Sequence, residues 1–424
     1  MTDKRPQKGS RPEYKNRRSQ TGWPILFELI PPLPEHAKTI LENLPLFLEE
    51  VWPLKGKHRR QLYRDIRDLS GILTSHRAEM KRSYWLKPGF ISAYMYYFLP
   101  WNLVRLTRLL SGLELIAPKM DRDLAPLLLD LGSGPLTLPI ALWLAKPEWR
   151  QLPLWVLATD SISKPLELGA ALFRAIAGQL GGTEWKILRE QASVFQAPGK
   201  ATRIADKFRL NPWLLCATNM LNELNPARTD SDEEEKIAED IEATLLAWRA
   251  FMKEDTRLLL VEPGTRLGGT TIMEYRRAAM DLGLRPLAPC THDKFCPLLR
   301  NESSSLSKTW CHFIFSAQDA PDWLKSLSRK AGLFKSSLSL SCLLIGPPTP
   351  ARESKAYMQV RIVSRPFPVD EKICRYGCAA CGLCLLPGSQ SLISGSLTAG
   401  KVASPQKDAK SGASILGPAK ESLQ

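Results

Sequence analysis

Hydrophobic and polar positions divide the chain into stretches of different period. From Glu35 to Leu115 apolar residues recur every three or four positions, as at Ile40, Leu44, Leu48 and Val51, which puts them on one helix face. Pro53, Pro88 and Pro100 interrupt that pattern, so several short helices are expected rather than one long one. From Leu127 to about Phe367 short apolar runs alternate with helical segments. The runs are Leu127–Leu131, Leu154–Thr159, Trp185–Leu188, Trp213–Thr218, Leu258–Glu262, His312–Phe315 and Leu338–Ile345, with a further one near Met358–Val363. Such alternation requires crossover connections and predicts a mostly parallel sheet covered on both faces. One helix is well marked. Ser231-Asp-Glu-Glu234 has capping-box spacing, and Ile237, Ile241, Leu245, Trp248 and Met252 follow as an apolar stripe.

The pattern fades at both ends. Residues 1–22 are polar and basic and read as a flexible arm, 23–120 as a helical region, and 121–386 as an α/β domain. Beyond Pro387 the chain is Ser, Gly, Ala and Lys with few large apolar residues, so 387–424 is expected to be a disordered tail. At 424 residues the chain exceeds what one core usually serves. Its longest apolar stretch, Ile91 to Val104, is broken by Pro100 and Asn102 and falls short of the ~20 residues of a membrane span. The first twenty residues carry no apolar leader core. A soluble, cytoplasmic protein without membrane contact, monomeric when free, is the expectation.

Charge adds a class of partner. The net charge is +15, and basic residues concentrate in the arm and between Lys55 and Arg82. An excess of that size attracts polyanions, nucleic acid foremost. Lys55, Lys57, Arg59, Arg60 and Arg64 are the candidate phosphate contacts.

Candidate chemistry begins at Asp130-Leu-Gly132-Ser133-Gly134-Pro135, a buried strand running into a glycine turn before a helix. Glycines permit positive φ and close approach of a ligand, and the helix behind offers free N–H groups. The next strand ends in Asp160, where an acid can accept both ribose hydroxyls of a nucleoside at a switch-point crevice. A dinucleotide site would want glycine where Thr137 stands. The acid at Asp130 instead resembles the first motif of S-adenosylmethionine-dependent methyltransferases. The fourth strand leads into Ala217-Thr-Asn219-Met-Leu-Asn222-Glu223, which adds Asn219 but lacks the Asn-Pro-Pro-aromatic motif of amino methyltransferases. The expected cofactor set is therefore Asp130, Gly132, Ser133, Gly134, Asp160 and Asn219. No catalytic base or nucleophile is identifiable.

Nine cysteines without a secretory signal argue against a disulfide framework. Cys216 and Cys342 lie in apolar runs and read as core. Cys290, Cys296 and Cys311 have the irregular spacing Cys-x₅-Cys-x₁₄-Cys, which suits an iron–sulfur cluster better than a zinc knuckle. His292 and His312 could instead complete a zinc site. A fourth thiolate would come from Cys374, Cys378, Cys381 or Cys384, and that segment could alternatively form a second site. Cys374-x₃-Cys378-x₂-Cys381 also matches radical S-adenosylmethionine spacing, but too little chain follows for such a barrel.

Together, Asp130-Leu-Gly-Ser-Gly-Pro135, Leu221-Asn-Glu-Leu224, Val261-Glu-Pro-Gly-Thr265, Ala288-Pro-Cys-Thr-His292 with Cys296-Pro-Leu298, and Trp310-Cys-His-Phe313 resemble one family. It comprises the methyltransferase-like assembly factors of the mitochondrial ribosomal small subunit and their bacterial relatives. The resemblance covers about Pro32 to Leu386. It implies an α/β fold: a Rossmann-type seven-stranded methyltransferase sheet with a helical N-terminal region and a cysteine-rich iron–sulfur insertion (288–313 and 374–384). It implies S-adenosylmethionine as cofactor, a 4Fe-4S cluster on Cys290, Cys296, Cys311 and Cys378, and association with the small subunit and its rRNA. Leu136 departs from the family's usual glycine, and its Cβ is expected to crowd the methionine moiety.

Overall fold

The computed structural model describes residues 22–74, 84–224, 231–299, 309–347 and 357–419. The basic arm, apart from its last residue, lies outside them. The described chain opens with β1 (Phe27–Glu28) and runs through five helices: α1 (Glu35–Glu42), α2 (Leu44–Val51), α3 (Gly56–Thr74), α4 (Pro88–Ala93) and α5 (Leu99–Gly112). Prolines open α4 and α5, as the punctuation predicts. A five-residue π turn, Tyr94–Phe98, joins α4 to α5. These helices bury one continuous apolar face, including Leu41, Leu44, Leu48, Leu103 and Leu106. Arg108 fastens them to the rest, its guanidinium donating to the Pro31 and Ser316 carbonyls and pairing with Asp319 at 3.0 Å.

The α/β unit follows in the order β2 (Ala125–Leu131), α6 (Thr137–Ala145), β3 (Trp155–Asp160), α7 (Ser163–Gln179), β4 (Lys186–Gln191), α8 (Ala197–Phe208) and β5 (Leu210–Thr218). After the short α9 (Leu221–Leu224) come α10 (Ser231–Arg249), β6 (Arg257–Pro263), α11 (Arg266–Asp281), β7 (Arg285–Ala288), β8 (Phe313–Ser316), α12 (Asp322–Lys330) and β9 (Ser337–Gly346). The strand order is β4-β3-β2-β5-β6-β9-β7, with β8 pairing β9 at one end. Strands β2 to β6 are parallel. The expectation of a mostly parallel sheet needs correcting on its other half, because β9 runs antiparallel to β6, β7 and β8. The result is a mixed α/β sheet with eight strands in place of the expected seven. The marked helix is α10; Ile241, Leu245 and Trp248 are buried, and the side chains of the capping-box segment 231–236 lie outside the described residues.

The stretch read as a disordered tail is corrected by the structure. β10 (Met358–Ile362), β11 (Phe367–Val369), β12 (Lys372–Ala379), β13 (Gly382–Pro387), β14 (Ser396–Lys407) and β15 (Ser414–Pro418) form a second sheet. Its order β14-β10-β12-β13-β15 closes on itself through a β14–β15 pairing, making a five-stranded barrel. Composition misleads here because the strands beyond Pro387 add mostly short side chains to a core most of whose large residues, Trp23, Val360, Ile362 and Leu386, lie before them. Ala379 and Ala399 are fully buried, and a Cβ on Gly377 would meet Val360 at 2.3 Å. The run near Met358 therefore belongs to this barrel and not to the parallel sheet. Trp23 completes the barrel core and donates its indole N–H to the Pro387 carbonyl at 3.0 Å.

Candidate functional site

A cavity of about 250 Å³ opens at the carboxyl ends of β2, β3 and β5, where open α/β sheets bind ligands. The glycine loop forms its floor. Gly132 and Gly134 have φ of +58° and +53°, and a Cβ on Gly132 would press on Met220 at 3.1 Å. Helix α7 crosses directly beneath: a Cβ on Gly169 would lie 2.3 Å from the Pro135 carbonyl carbon. Backbone bonds fix the loop between strands, with Ser133 N–H donating to the Thr159 carbonyl at 2.8 Å. Gly134 N–H donates to Asp160 Oδ2 at 3.0 Å, while the other Asp160 oxygen accepts from Ile162 N–H at 3.0 Å. Ser161 adds side-chain and backbone donors to the same carboxylate.

Five of the six expected cofactor residues line this cavity: Gly132, Ser133, Gly134, Asp160 and Asn219. Asp130 does not. It is fully buried behind the loop, accepts from the Ser133 hydroxyl at 2.5 Å, and holds Oδ1 without a hydrogen-bond partner among the described residues. Burial raises its pKa to about 7; the Ser133 bond opposes that rise and the nearby Asp160 charge adds to it. Asp130 thus supports the loop from behind. Burial likewise raises Asp160, against the lowering effect of the backbone N–H groups it accepts from. Leu136 takes φ of +55°, yet its side chain packs into the main core, so the expected crowding of the cavity is corrected.

The sequence reading missed much of the rim. Tyr84, Trp85 and Tyr94 from the helical region and Ser193-Val-Phe195 after β4 complete the lining. Tyr94 starts the π turn and lies 4.7 Å, centroid to centroid, from Trp85. A helix distortion at an aromatic cluster was the available signal, but no pattern in the sequence marks it. Asn219 is held at φ +57° by its N–H bond to the Val261 carbonyl, and its buried Oδ1 accepts from no donor among the described residues. The residue itself lines the cavity, while this oxygen is buried behind its wall.

The cysteines gather on the opposite flank, between α11, the loop after β7, and the barrel. Arg276 is buried and organises the loop, with Nε donating to Cys290 Sγ at 3.2 Å and Nη2 to the His292 and Lys294 carbonyls at 3.1 and 2.7 Å. His292 Nε2 lies 3.3 Å from Cys378 Sγ on β12. Ser341 holds the Cys311 carbonyl at 2.8 Å. Helix α11 comes close enough that a Cβ on Gly269 would strike Trp310 at 2.3 Å. Burial pushes the Cys311 thiol up, and Cys290, Cys296 and Cys378 push it further. Cys378 is raised by burial and then by Cys290 and Cys296, with Arg276 pulling it down. Cys290, Cys296, Cys311 and Cys378 therefore share one electrostatic neighbourhood. Cys374 is placed apart, with Lys372, Asp370 and Asp408 as its charged neighbours. His312 accepts from or donates to nothing in the group; its Nδ1 faces the Trp310 carbonyl at 3.0 Å. Among the described residues no three His, Cys, Asp or Glu side chains form a group able to hold a metal ion.

Of the candidate phosphate contacts on α3 and the turn before it, Lys55, Lys57, Arg60 and Arg64 are exposed. Arg59 is exposed but engaged, pairing with Glu49 at 2.7 Å and donating to the Leu54 carbonyl at 3.0 Å. No helix among the described residues is long and apolar enough to cross a membrane.

Comparison with known proteins gives one family. Residues 91–331 match the model of Rsm22, described as mitochondrial small ribosomal subunit Rsm22. No curated protein matches the chain. Among solved structures, TrmN from Thermus thermophilus is 14% identical over 54% of this chain and 46% of its own, with a TM-score of 0.26. This chain thus spans under half of that protein's length. A mutant of the 16S rRNA (adenine(1408)-N(1))-methyltransferase from Catenulisporales acidiphilia is 12% identical over 55% and 95%, with a TM-score of 0.26. An S-adenosylmethionine-dependent methyltransferase of Leishmania major is 10% identical over 70% and 89%, with a TM-score of 0.30. Scores of that size carry no argument about function.

Proposed function

The chain belongs to the Rsm22 family of the mitochondrial small ribosomal subunit, and from that premise we propose a methyltransferase-like factor that binds small-subunit rRNA during assembly or translation. In this reading it uses S-adenosylmethionine in the β2–β5 cavity and an iron–sulfur cluster at the cysteine centre. The observation that carries the cofactor assignment is the convergence of Gly132, Ser133, Gly134, Asp160 and Asn219 on one cavity, with Gly134 N–H bonded to Asp160. When bound, S-adenosylmethionine supplies an electrophilic methyl group. Asp160 would accept the ribose hydroxyls, Asn219 the ammonium group, and Tyr84, Trp85 and Tyr94 would keep water from the methyl end. Among the described residues no side chain is placed as a general base, so the transfer step would rely on the nucleophilicity of the RNA itself.

Titration calorimetry tests the assignment. Wild-type protein should bind S-adenosylmethionine, and Asn219→Ala should weaken binding about tenfold, the equivalent of ~1.4 kcal/mol for one hydrogen bond to a charged group. Absence of binding by the wild type would refute it. Incubation of the protein and labelled cofactor with precursor small subunits then separates a methylating factor, which labels rRNA, from a non-catalytic one.

For the cysteine centre the proposal rests on donor chemistry: the all-sulfur set Cys290, Cys296, Cys311 and Cys378 suits an iron–sulfur cluster, while the described side chains do not converge as ligands of one ion. Ligation would reverse the raised pKa values of Cys311 and Cys378 and cross-link the loop after β7 to the barrel. Protein purified without oxygen should be brown and contain iron and sulfide; zinc in their place would overturn this part. The cytoplasmic location expected from the sequence gives way to a broader one, the compartment in which the small subunit is built, which in the family's description is the mitochondrion.

A further inference from the structure

Cys381 and Cys384 lie beside the cysteine centre, within electrostatic reach of Cys378, but are not among the four thiols proposed as ligands. They belong to the hairpin between β12 and β13, where Ala379 pairs with Gly382 and leaves Ala380 and Cys381 as the turn. Gly382, at φ +104°, lets the turn close so tightly. Cys381 is exposed at the tip, whereas Cys384 is fully buried in the barrel core. Their sulfur atoms are 3.4 Å apart, and both are free thiols. A solvent-facing sulfur with a protected partner in contact is the arrangement of an attacking and a resolving thiol.

We propose that Cys381 and Cys384 form a redox-active dithiol that reduces hydroperoxides, with Cys381 attacking and Cys384 resolving. The Cys381 thiolate attacks the distal oxygen of the hydroperoxide. An S–O bond forms, the O–O bond breaks, and the departing alkoxide or hydroxide takes up a proton. Cys384 sulfur then attacks Cys381 sulfur, an S–S bond forms, the S–O bond breaks, and hydroxide leaves with the Cys384 proton as water. Two thiols lose two electrons and the peroxide gains them. The surroundings support this division of labour. The hydrogen bond with Cys384, the Ser414 hydroxyl and Lys294 lower the Cys381 thiol to about 6, while that same bond, then burial and the Cys381 and Cys378 charges, raise Cys384. The remaining cysteines differ. Cys216 and Cys342 are buried with raised pKa values, and Cys374 is buried without a sulfur partner.

The test uses full-length protein, purified without oxygen and assayed for bound iron, then treated with one equivalent of hydrogen peroxide. Thiols left reduced are alkylated under denaturing conditions and mapped by mass spectrometry. The expected product lacks about 2 Da and carries its linkage between Cys381 and Cys384 before any other thiol has reacted. Cys384→Ser should instead accumulate a sulfenic acid at Cys381 that dimedone traps. Cys381→Ser should leave Cys384 alkylatable and slow peroxide consumption roughly tenfold or more. If serine at 384 unfolds the barrel, Cys384→Ala gives the same readout in an apolar site. Three results would overturn the proposal: Cys381 bridged to Cys378, both hairpin thiols still reduced after others have oxidised, or loss of bound iron in Cys381→Ser, which would make Cys381 a ligand.

Discussion

Replacing Asp130 with asparagine isolates the cost of a buried charge behind the glycine loop. The carboxyl is inaccessible to solvent, and burial lifts its pKa from 3.8 to about 7. The gap is about three units, so at ~1.36 kcal/mol per unit ionising Asp130 in the fold costs ~4 kcal/mol more than in the unfolded chain. The folded state binds the proton more tightly, so the stability it contributes is complete below pH 3.8 and lost as pH rises through 7. Asparagine keeps an acceptor for the Ser133 hydroxyl but leaves an amide without an assigned partner. That defect costs ~1–3 kcal/mol at every pH. The slope is therefore the clean observable. Urea denaturation of both proteins from pH 4.5 to 8 should show the asparagine variant gaining on the wild type by ~1.4 kcal/mol per pH unit up to about 7, then levelling. A constant difference across that range would mean the carboxylate is stabilised in the fold, and the argument fails.

Other perturbations probe the supports of the two sites. Gly169→Ala drives a Cβ onto the Pro135 carbonyl and should lower stability by ~1–3 kcal/mol while weakening S-adenosylmethionine binding, read by thermal melts and calorimetry on the same samples. Arg361→Met removes buried donors to the Pro289 and Gly395 carbonyls at 2.9 and 2.8 Å. It should cost ~1–3 kcal/mol per carbonyl and expose the barrel to limited proteolysis, visible as early cleavage between residues 357 and 419. Trp248→Ala empties a fully buried position stacked on Tyr275 and should cost ~3–5 kcal/mol in urea with no change in the pH slope attributed to Asp130. Combining Arg60→Ala with Arg64→Ala should weaken binding to small-subunit rRNA and reduce the slope of log affinity against log salt by about 2 if both touch phosphate; an unchanged slope would move the RNA face elsewhere.

What the sequence reveals depends on how strongly each element patterns its residues. The buried parallel strands are near-continuous apolar runs, and all of them are legible, as is the stripe of α10. Strand β7 escapes because Arg285-Pro-Leu-Ala288 is short, and Pro286 is tolerated only because β7 ends the strand order. The barrel escapes for a different reason: beyond Pro387 its buried positions are mainly Ser, Thr and Ala, with Leu392 and Leu416 the large apolar ones, and a composition argument counts such a stretch as solvent-seeking. Ser396 and Thr398 are fully buried there, and the Thr398 hydroxyl is spent on the Pro24 carbonyl. At the cofactor cavity the glycines and Asp160 advertise themselves, because no other residues satisfy that turn. Asp130 is legible as a motif but not as a buried one, since neither its depth nor its Ser133 bond has a sequence signature. The aromatic rim is invisible for the same reason; Tyr84, Trp85 and Tyr94 read as ordinary helix packing until the sheet is set beside them.

The N-terminal segment closes the C-terminal barrel: Trp23 fills its centre, and Leu26 N–H bonds to the Leu397 carbonyl at 2.9 Å. During synthesis the first of these partners leaves the ribosome long before the second exists. The early segment must wait, unpaired, while the whole α/β unit is made. Cys378 also emerges after the other three thiols of its group, on a strand whose neighbours are β10, β11 and β13. Capture of a metal cluster by all four would therefore be a late event in the life of the chain, and nascent fragments ending before the barrel would hold at best three of the four sulfurs.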